Sequence, residues 1–242
     1  MVLGAGLRWT QIKKSGSVVG GSEIFAPPAA SNTVPRLPLS DSFTETDWAP
    51  TATLTWVPSR NANVYFRYAR GNKSGAFSEF QNVTSKDFIL RPEQADAFEL
   101  GTRLSVPEVN GFLNITLFTT DYADLQKSAL DLQTASFVTS NAAGARTRGV
   151  EIEAGVEPTK GLRFNAGFAY LDAYYTSWPN GPCRFDNPVR LVPGCTQDRA
   201  GDRLQSSPEF TGNVSVDYNG DVSDNLRVFG NATLNFTSDI NY

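Results

Sequence analysis

Histidine is absent from the 242-residue chain, methionine occurs once and cysteine twice. Without imidazole, Ser-His and Cys-His catalysis and histidine metal ligation are closed off, and two thiols alone assemble no transition-metal constellation. Neither an enzyme nor a cofactor is expected. No stretch approaches about 18 consecutive apolar residues, which excludes a membrane helix but leaves open strands that cross with only alternate residues apolar. Positive charge is not in surplus either: 21 Lys and Arg stand against 25 Asp and Glu, a net charge of −4 with a pI near 5.0. Nothing there supplies a basic field for nucleic acid, so none is expected as a partner. Met1 to Thr10 lack the basic, apolar and small-residue succession of a secretory signal. Either a cytosolic chain or an N-terminus lying elsewhere is expected.

What the chain does have is period-two alternation, with no convincing helical periodicity. Strands are expected near Val2 to Gln11, Thr46 to Val57, Val64 to Arg70, Ala97 to Val106, Phe112 to Tyr122, Thr147 to Val156, Leu162 to Ala173, Phe210 to Tyr218 and Leu226 to Phe236. Several reach the roughly 9 to 11 residues that a tilted strand needs to cross a bilayer. The connections alternate in length. "PSRNAN", "PEVNG", "EPTKG" and "NGDVSDN" are tight turns, and long polar excursions from Lys13 to Glu45, Gly71 to Gln94, Lys127 to Arg146 and Ser177 to Ser206 lie between them. Turns on one edge and loops on the other are the asymmetry of an outer-membrane barrel, whereas Greek-key returns of a soluble sandwich have no reason to keep it. The fold expected is all-β: an antiparallel up-and-down transmembrane β-barrel, partial, with about nine long strands.

Charge sorts by parity along these strands. Leu162, Phe164, Ala166, Phe168 and Tyr170 alternate with Arg163, Asn165 and Gly167; Val150, Ile152, Ala154 and Val156 alternate with Glu151 and Glu153. The apolar row is expected to face lipid, where an Arg or Lys costs about 2 to 4 kcal/mol at the midplane, and the polar row a hydrated lumen. A protein core would exclude charge equally, so a soluble β-sandwich or solenoid stays open at this point. Aromatic residues argue for the membrane: Trp56 and Tyr218 stand at the turn end, and Trp9, Tyr68, Tyr122, Tyr174 and Tyr175 at the loop end, as two girdles.

Cys183 and Cys195 bound one segment rich in Pro, Gly and charge. A disulfide closing it is expected, contributing roughly 3 kcal/mol in the chain-entropy model and requiring an oxidising compartment. Glu151 and Glu153 share one face two residues apart and read as lumen-lining charges paired with Arg103, Arg148 or Arg163 or simply solvated, rather than as a glycosidase pair.

Several passages resemble a known family. "LRPEQADAFELGTRL" followed by "GFLNITLFTTDYADLQ" is similar to a strand-turn-strand passage of TonB-dependent outer-membrane receptors. "NAAGARTRGVEIEAGVEPTKGLRFNAGFAYLDA" and "RAGDRLQSSPEFTGNVSVDY" resemble that family's next hairpin and strand entry, and "VYFRYARGNKSGAF" its aromatic strand leading into a Gly-rich loop, with Ala76 where many members have Gly. The resemblance implies a barrel of about 22 strands plugged by an N-terminal domain, importing a ferric siderophore, cobalamin or a saccharide with energy delivered through TonB. Residues 1–242 are expected to be an incomplete part of the C-terminal half of such a barrel in the bacterial outer membrane, without the plug, the TonB-contacting region or the final strand. The expected partners are outer-membrane lipid, a small ligand, and TonB through the missing N-terminal region. A passive porin or adhesin-type barrel is the alternative, and a secreted soluble β-protein a further one.

Ligand contacts are expected on loops held by the rigid wall. The candidates are Arg70 and Lys73 in the Gly-rich loop, Arg146 and Arg148, and Arg184, Arg190 and Arg199 in the cysteine loop, cations suited to an anionic chelate.

Overall fold

A computed structural model describes residues 1–18, 39–78, 88–131, 136–184, 186–190, 192 and 195–240. In chain order its strands are β1 (Val2–Val18), β2 (Leu39–Ser59), β3 (Ala62–Lys73), β4 (Ala76–Phe77), β5 (Ile89–Leu90), β6 (Glu93–Val106), β7 (Gly111–Asp131), β8 (Ser136–Thr159), β9 (Leu162–Ser177), β10 (Gly181–Pro182), β11 (Thr196–Gln197), β12 (Phe210–Ser223) and β13 (Leu226–Thr237). Nine of them make one sheet in the order β1-β2-β3-β6-β7-β8-β9-β12-β13, every neighbour antiparallel. That is an up-and-down meander. Among the described residues β1 and β13 each pair on one side only, so the sheet is a wall and not a closed ring.

All nine expected strands are present, and several run further than the alternation suggests. β1 and β2 stay paired from Lys13↔Thr44 out to Val18↔Leu39, and β7 and β8 from Lys127↔Ser140 to Asp131↔Ser136. Parts of two of the four long excursions are therefore extensions of strand pairs. Beyond the hydrocarbon neither face must be apolar, so the period-two signal fades while backbone pairing continues.

The short connections form as expected. Pro107–Val109 is a 3-10 turn closed by Asn110 at φ 44, and Gly161 takes φ +82 between β8 and β9, a left-handed conformation that glycine adopts without the Cβ penalty. Glu157 Oε1 accepts the Gly161 N–H at 3.0 Å, and the Gly161 carbonyl accepts from Asn219 at 2.7 Å, tying this turn to the next hairpin.

Register carries the apolar face across the whole wall. Leu3↔Leu54↔Phe66↔Leu100↔Leu117↔Val150↔Tyr170↔Phe210 runs strand to strand on one side. Among the described residues no second layer covers it: Phe66 is 46% exposed, Leu100 48%, Leu117 46% and Phe164 40%. A sheet face of this extent, oily and uncovered, is incompatible with water. The buried hydrophobic residues of β8, β9 and the segment after them lie on the opposite face at the loop end: Ala143, Ala145, Ala173, Tyr175 and Trp178.

Candidate ligand-facing wall and mouth

The second face is polar along its length. Arg67 pairs with Glu99 at 3.7 Å, and Arg163 donates to Glu157 at 3.3 Å. Asn114 donates to Glu153 at 3.3 Å and Asn165 to Ser215 at 3.4 Å. The Arg103 guanidinium lies 5.5 Å from the Tyr65 ring centre, and the Tyr65 hydroxyl sits 3.3 Å from Thr116 Oγ1, two strands away. That reach needs Gly101, opposite Tyr65 in register, since a Cβ there would collide with the Tyr65 ring. A depression of about 400 Å³ opens on this face where Gly167 leaves room beside Glu151, Glu153, Asn213 and Asn235.

At the loop end two segments fold inward over the polar face. The first carries β4 and β5. Lys14 reaches from β1 to Ser74 Oγ at 2.5 Å and the Gly75 carbonyl at 2.6 Å, while Glu45 from β2 accepts the Gly75 N–H at 2.9 Å. Phe43, Phe77 and Phe88 stack in sequence, with centroids 5.2 and 4.9 Å apart. The second segment spans residues 178–206. Trp178 packs on Tyr175 at 4.7 Å between centroids, above Ala143 and Ala145, with Tyr122, Leu125 and Leu204 around them. Backbone hydrogen bonds from Tyr175 to Asp202 and from Leu204 to Ala173, both 2.9 Å, dock the segment on β9. Asp202 is buried and receives both Arg184 and Arg199. Burial, and then the nearby Arg184 cation, push the Arg199 guanidinium below its usual range. Cys183 and Cys195 are joined in a disulfide, their Cα atoms 5.7 Å apart, stapling the base of the segment.

Tyr122 and Tyr175 therefore do not belong to the loop-end girdle. Counting by two from Phe118 and from Ala173 puts both on the inner face, where Tyr175 is only 1% exposed and its hydroxyl finds no partner among the described residues. Trp9 and Trp48, 53% and 55% exposed and 6.5 Å apart, hold the girdle position on the outside.

The seven candidate cations separate into two groups. Lys73 lies at the end of β3 on the inner face, paired with Glu93 at 2.7 Å. Arg184 and Arg199 stand on Asp202, and Arg190 makes no ion pair among the described residues. Arg70, Arg146 and Arg148 lie on strands rather than in loops, and on the outer face. Each is paired: Arg70 with Asp96 at 2.8 Å, Arg146 with Asp121 at 2.6 Å, Arg148 with Asp172 at 2.9 Å. The expected partners for the inner carboxylates change with them, since Arg148 is on the other side of the sheet from Glu151 and Glu153. Among the described residues no group of three or more His, Cys, Asp and Glu is placed to hold a metal ion.

An oily exterior, a polar interior, turns at one end and inward-folding loops at the other define the wall of an outer-membrane β-barrel. The family model for the TonB dependent receptor-like beta-barrel matches residues 2–242, and the chain belongs to that family. Its members are outer-membrane receptors. A probable TonB-dependent siderophore receptor of Acinetobacter baumannii, PiuA, is 24% identical over 180 residues, 72% of this chain and 22% of that protein. Among solved structures, the ferric yersiniabactin uptake receptor FyuA of Yersinia pestis superposes with a TM-score of 0.67 at 19% identity, covering 97% of this chain and 31% of FyuA. The PiuA crystal structure gives 0.64 at 18%, covering 96% and 30%. The chain thus spans under a third of the length of each of these relatives.

Proposed function

We propose that this chain is a stretch of barrel from a receptor that captures a scarce ligand of the ferric siderophore class at the cell surface and imports it with energy supplied through TonB. Cobalamin and saccharides are the other cargoes that the resemblance implies. The carrying observation is the family match along residues 2–242, on a wall whose inner face carries the charged side chains of the spanning strands. The siderophore reading rests on the relatives' own names, a siderophore receptor and a ferric yersiniabactin receptor. In this reading further strands complete the ring, an interior domain fills it, and TonB engages a region outside residues 1–242. Lys73, Arg184, Arg190 and Arg199 at the inner mouth are the cations offered to an anionic chelate. Charge-assisted hydrogen bonds suit them to catecholate, hydroxamate or carboxylate oxygens.

The test is uptake of radioactive iron by a siderophore-deficient strain carrying the intact receptor, given a panel of ferric siderophores, in cells with and without TonB. TonB-dependent accumulation with one of them is the expected result. Accumulation that persists without TonB would establish a passive pore, and TonB-dependent uptake of cobalamin or a saccharide alone would replace the cargo.

A further inference from the structure

Two strand pairs stand taller than the strands between them. β1 and β2 stay paired up to Val18↔Leu39 and β7 and β8 up to Asp131↔Ser136, whereas β3 stops at Lys73 and β6 begins at Glu93. The sheet is notched at its loop end. Among the described residues, β2 has no ladder partner on the notch side beyond Thr51, where Pro50 also lacks an N–H, and β7 has none beyond Ala123. Left alone, each would present an open edge there.

The described parts of the β3–β6 connection, residues 74–78 and 88–92, lie across this notch and touch both of its sides. On the β1–β2 side Lys14 and Glu45 hold Ser74 and Gly75, and the Phe77 ring lies against Gly16 and stacks between Phe43 and Phe88. On the β7–β8 side the Asn141 carboxamide pairs with the Arg91 backbone as a neighbouring strand would. Its Oδ1 accepts the Arg91 N–H at 2.6 Å and its Nδ2 donates to the Arg91 carbonyl at 2.8 Å. Nδ2 also donates to the Asp124 carbonyl at 2.8 Å, and Gln126 Nε2 donates to the carbonyls of Ser74 and Arg91 at 3.2 and 3.0 Å. Asp124, at φ 55, sits where the β7–β8 register slips twice within a few residues. Bulges bend a strand pair and re-aim its side chains; this one turns Asn141 and Gln126 toward the connection.

The two joints differ in kind. Phe88 and Leu90, 4% and 5% exposed, seat the connection in an aromatic, water-poor setting beside β2. The Asn141 bonds are exposed, and water competes for them.

We propose that the connection is a tie that makes the β1–β2 and β7–β8 hairpins tilt as one body, with its durable joint on β1–β2 and its weaker joint made by Asn141 and Gln126. It concerns the mechanics of the wall and is independent of any cargo inside.

The intact receptor in detergent is spin-labelled at Ser42→Cys and Ser128→Cys, one on each hairpin, and the distance distribution is read by pulsed electron resonance. One narrow distribution is expected, and Asn141→Ala with Gln126→Ala should widen it by roughly twofold. Arg227→Gln, at the turn end, should leave it unchanged. Amide exchange in residues 74–78 and 88–92 should rise little in the Asn141 and Gln126 variant and strongly in Lys14→Met with Phe43→Ala. A broad distribution without the Asn141 and Gln126 changes overturns the proposal, even if that variant fails to fold. An unchanged width in the folded variant overturns it as well, and equal exchange in the two variants overturns the assignment of the durable joint.

Discussion

Tyr68 stacks on Phe98 with ring centroids 5.1 Å apart and gives its hydroxyl to Asp96 at 2.7 Å. One side chain thus spans the boundary between the oily band and the ionic row that tops it. Its phenol body suits hydrocarbon and its hydroxyl suits the headgroup zone, the dual character that places Tyr at membrane interfaces.

Phe164→Arg should impair insertion of the intact receptor and Asn165→Arg should not. The first places a cation on the lipid face at a cost of about 2 to 4 kcal/mol near the midplane, and the second adds one to a wet wall. Heat-modifiable gel mobility of membrane fractions checks this, and equal tolerance at both positions would reverse the assignment of faces.

Gly101→Val should push the Tyr65 ring off its seat and break its approach to Thr116. Overpacking of this kind costs about 1 to 3 kcal/mol. The thermal unfolding midpoint of the detergent-solubilised receptor should fall, while Gly71→Val, at a position with open space around a Cβ, should change it less.

Tyr175→Phe should be neutral or mildly stabilising, by up to about 1 kcal/mol, because it removes a buried hydroxyl that finds no partner among the described residues. Trp178→Ala should instead loosen the segment by removing a ring packed on Tyr175, at about 3 to 5 kcal/mol for a large buried aromatic. Limited proteolysis within residues 178–206 reports both.

Reduction of the Cys183–Cys195 bridge, or the double change to Ser, should raise cleavage within the same segment while leaving the β8–β9 hairpin protected. The chain-entropy estimate for a loop of this size is roughly 3 kcal/mol. Cleavage that does not change on reduction would show that Asp202, held by Arg184 and Arg199, anchors the segment alone.

The membrane band was legible because lipid enforces strict alternation: the nine strands and the oily row Leu162 to Tyr170 follow from period two, and the short turns from their Pro, Gly and Asn residues. Outside that band the constraint lapses, and the upper halves of β1, β2, β7 and β8 left no such trace. The arginines are a different case. Counting back by two from Val150 reaches Arg148 and Arg146, which parity alone places on the outer face, yet cations near a loop invite assignment to the lumen. Tyr122 and Tyr175 were open to the same count. The packing of Trp178 on Tyr175 and the convergence of Arg184 and Arg199 on Asp202 rest on a long return of chain, and no local pattern encodes it.

Among the described residues β1 and β13 pair on one side only, each presenting a line of amide donors and carbonyl acceptors. In hydrocarbon each unmet group costs several kcal/mol, so a sheet of this kind rests in a bilayer only where both margins find partner strands.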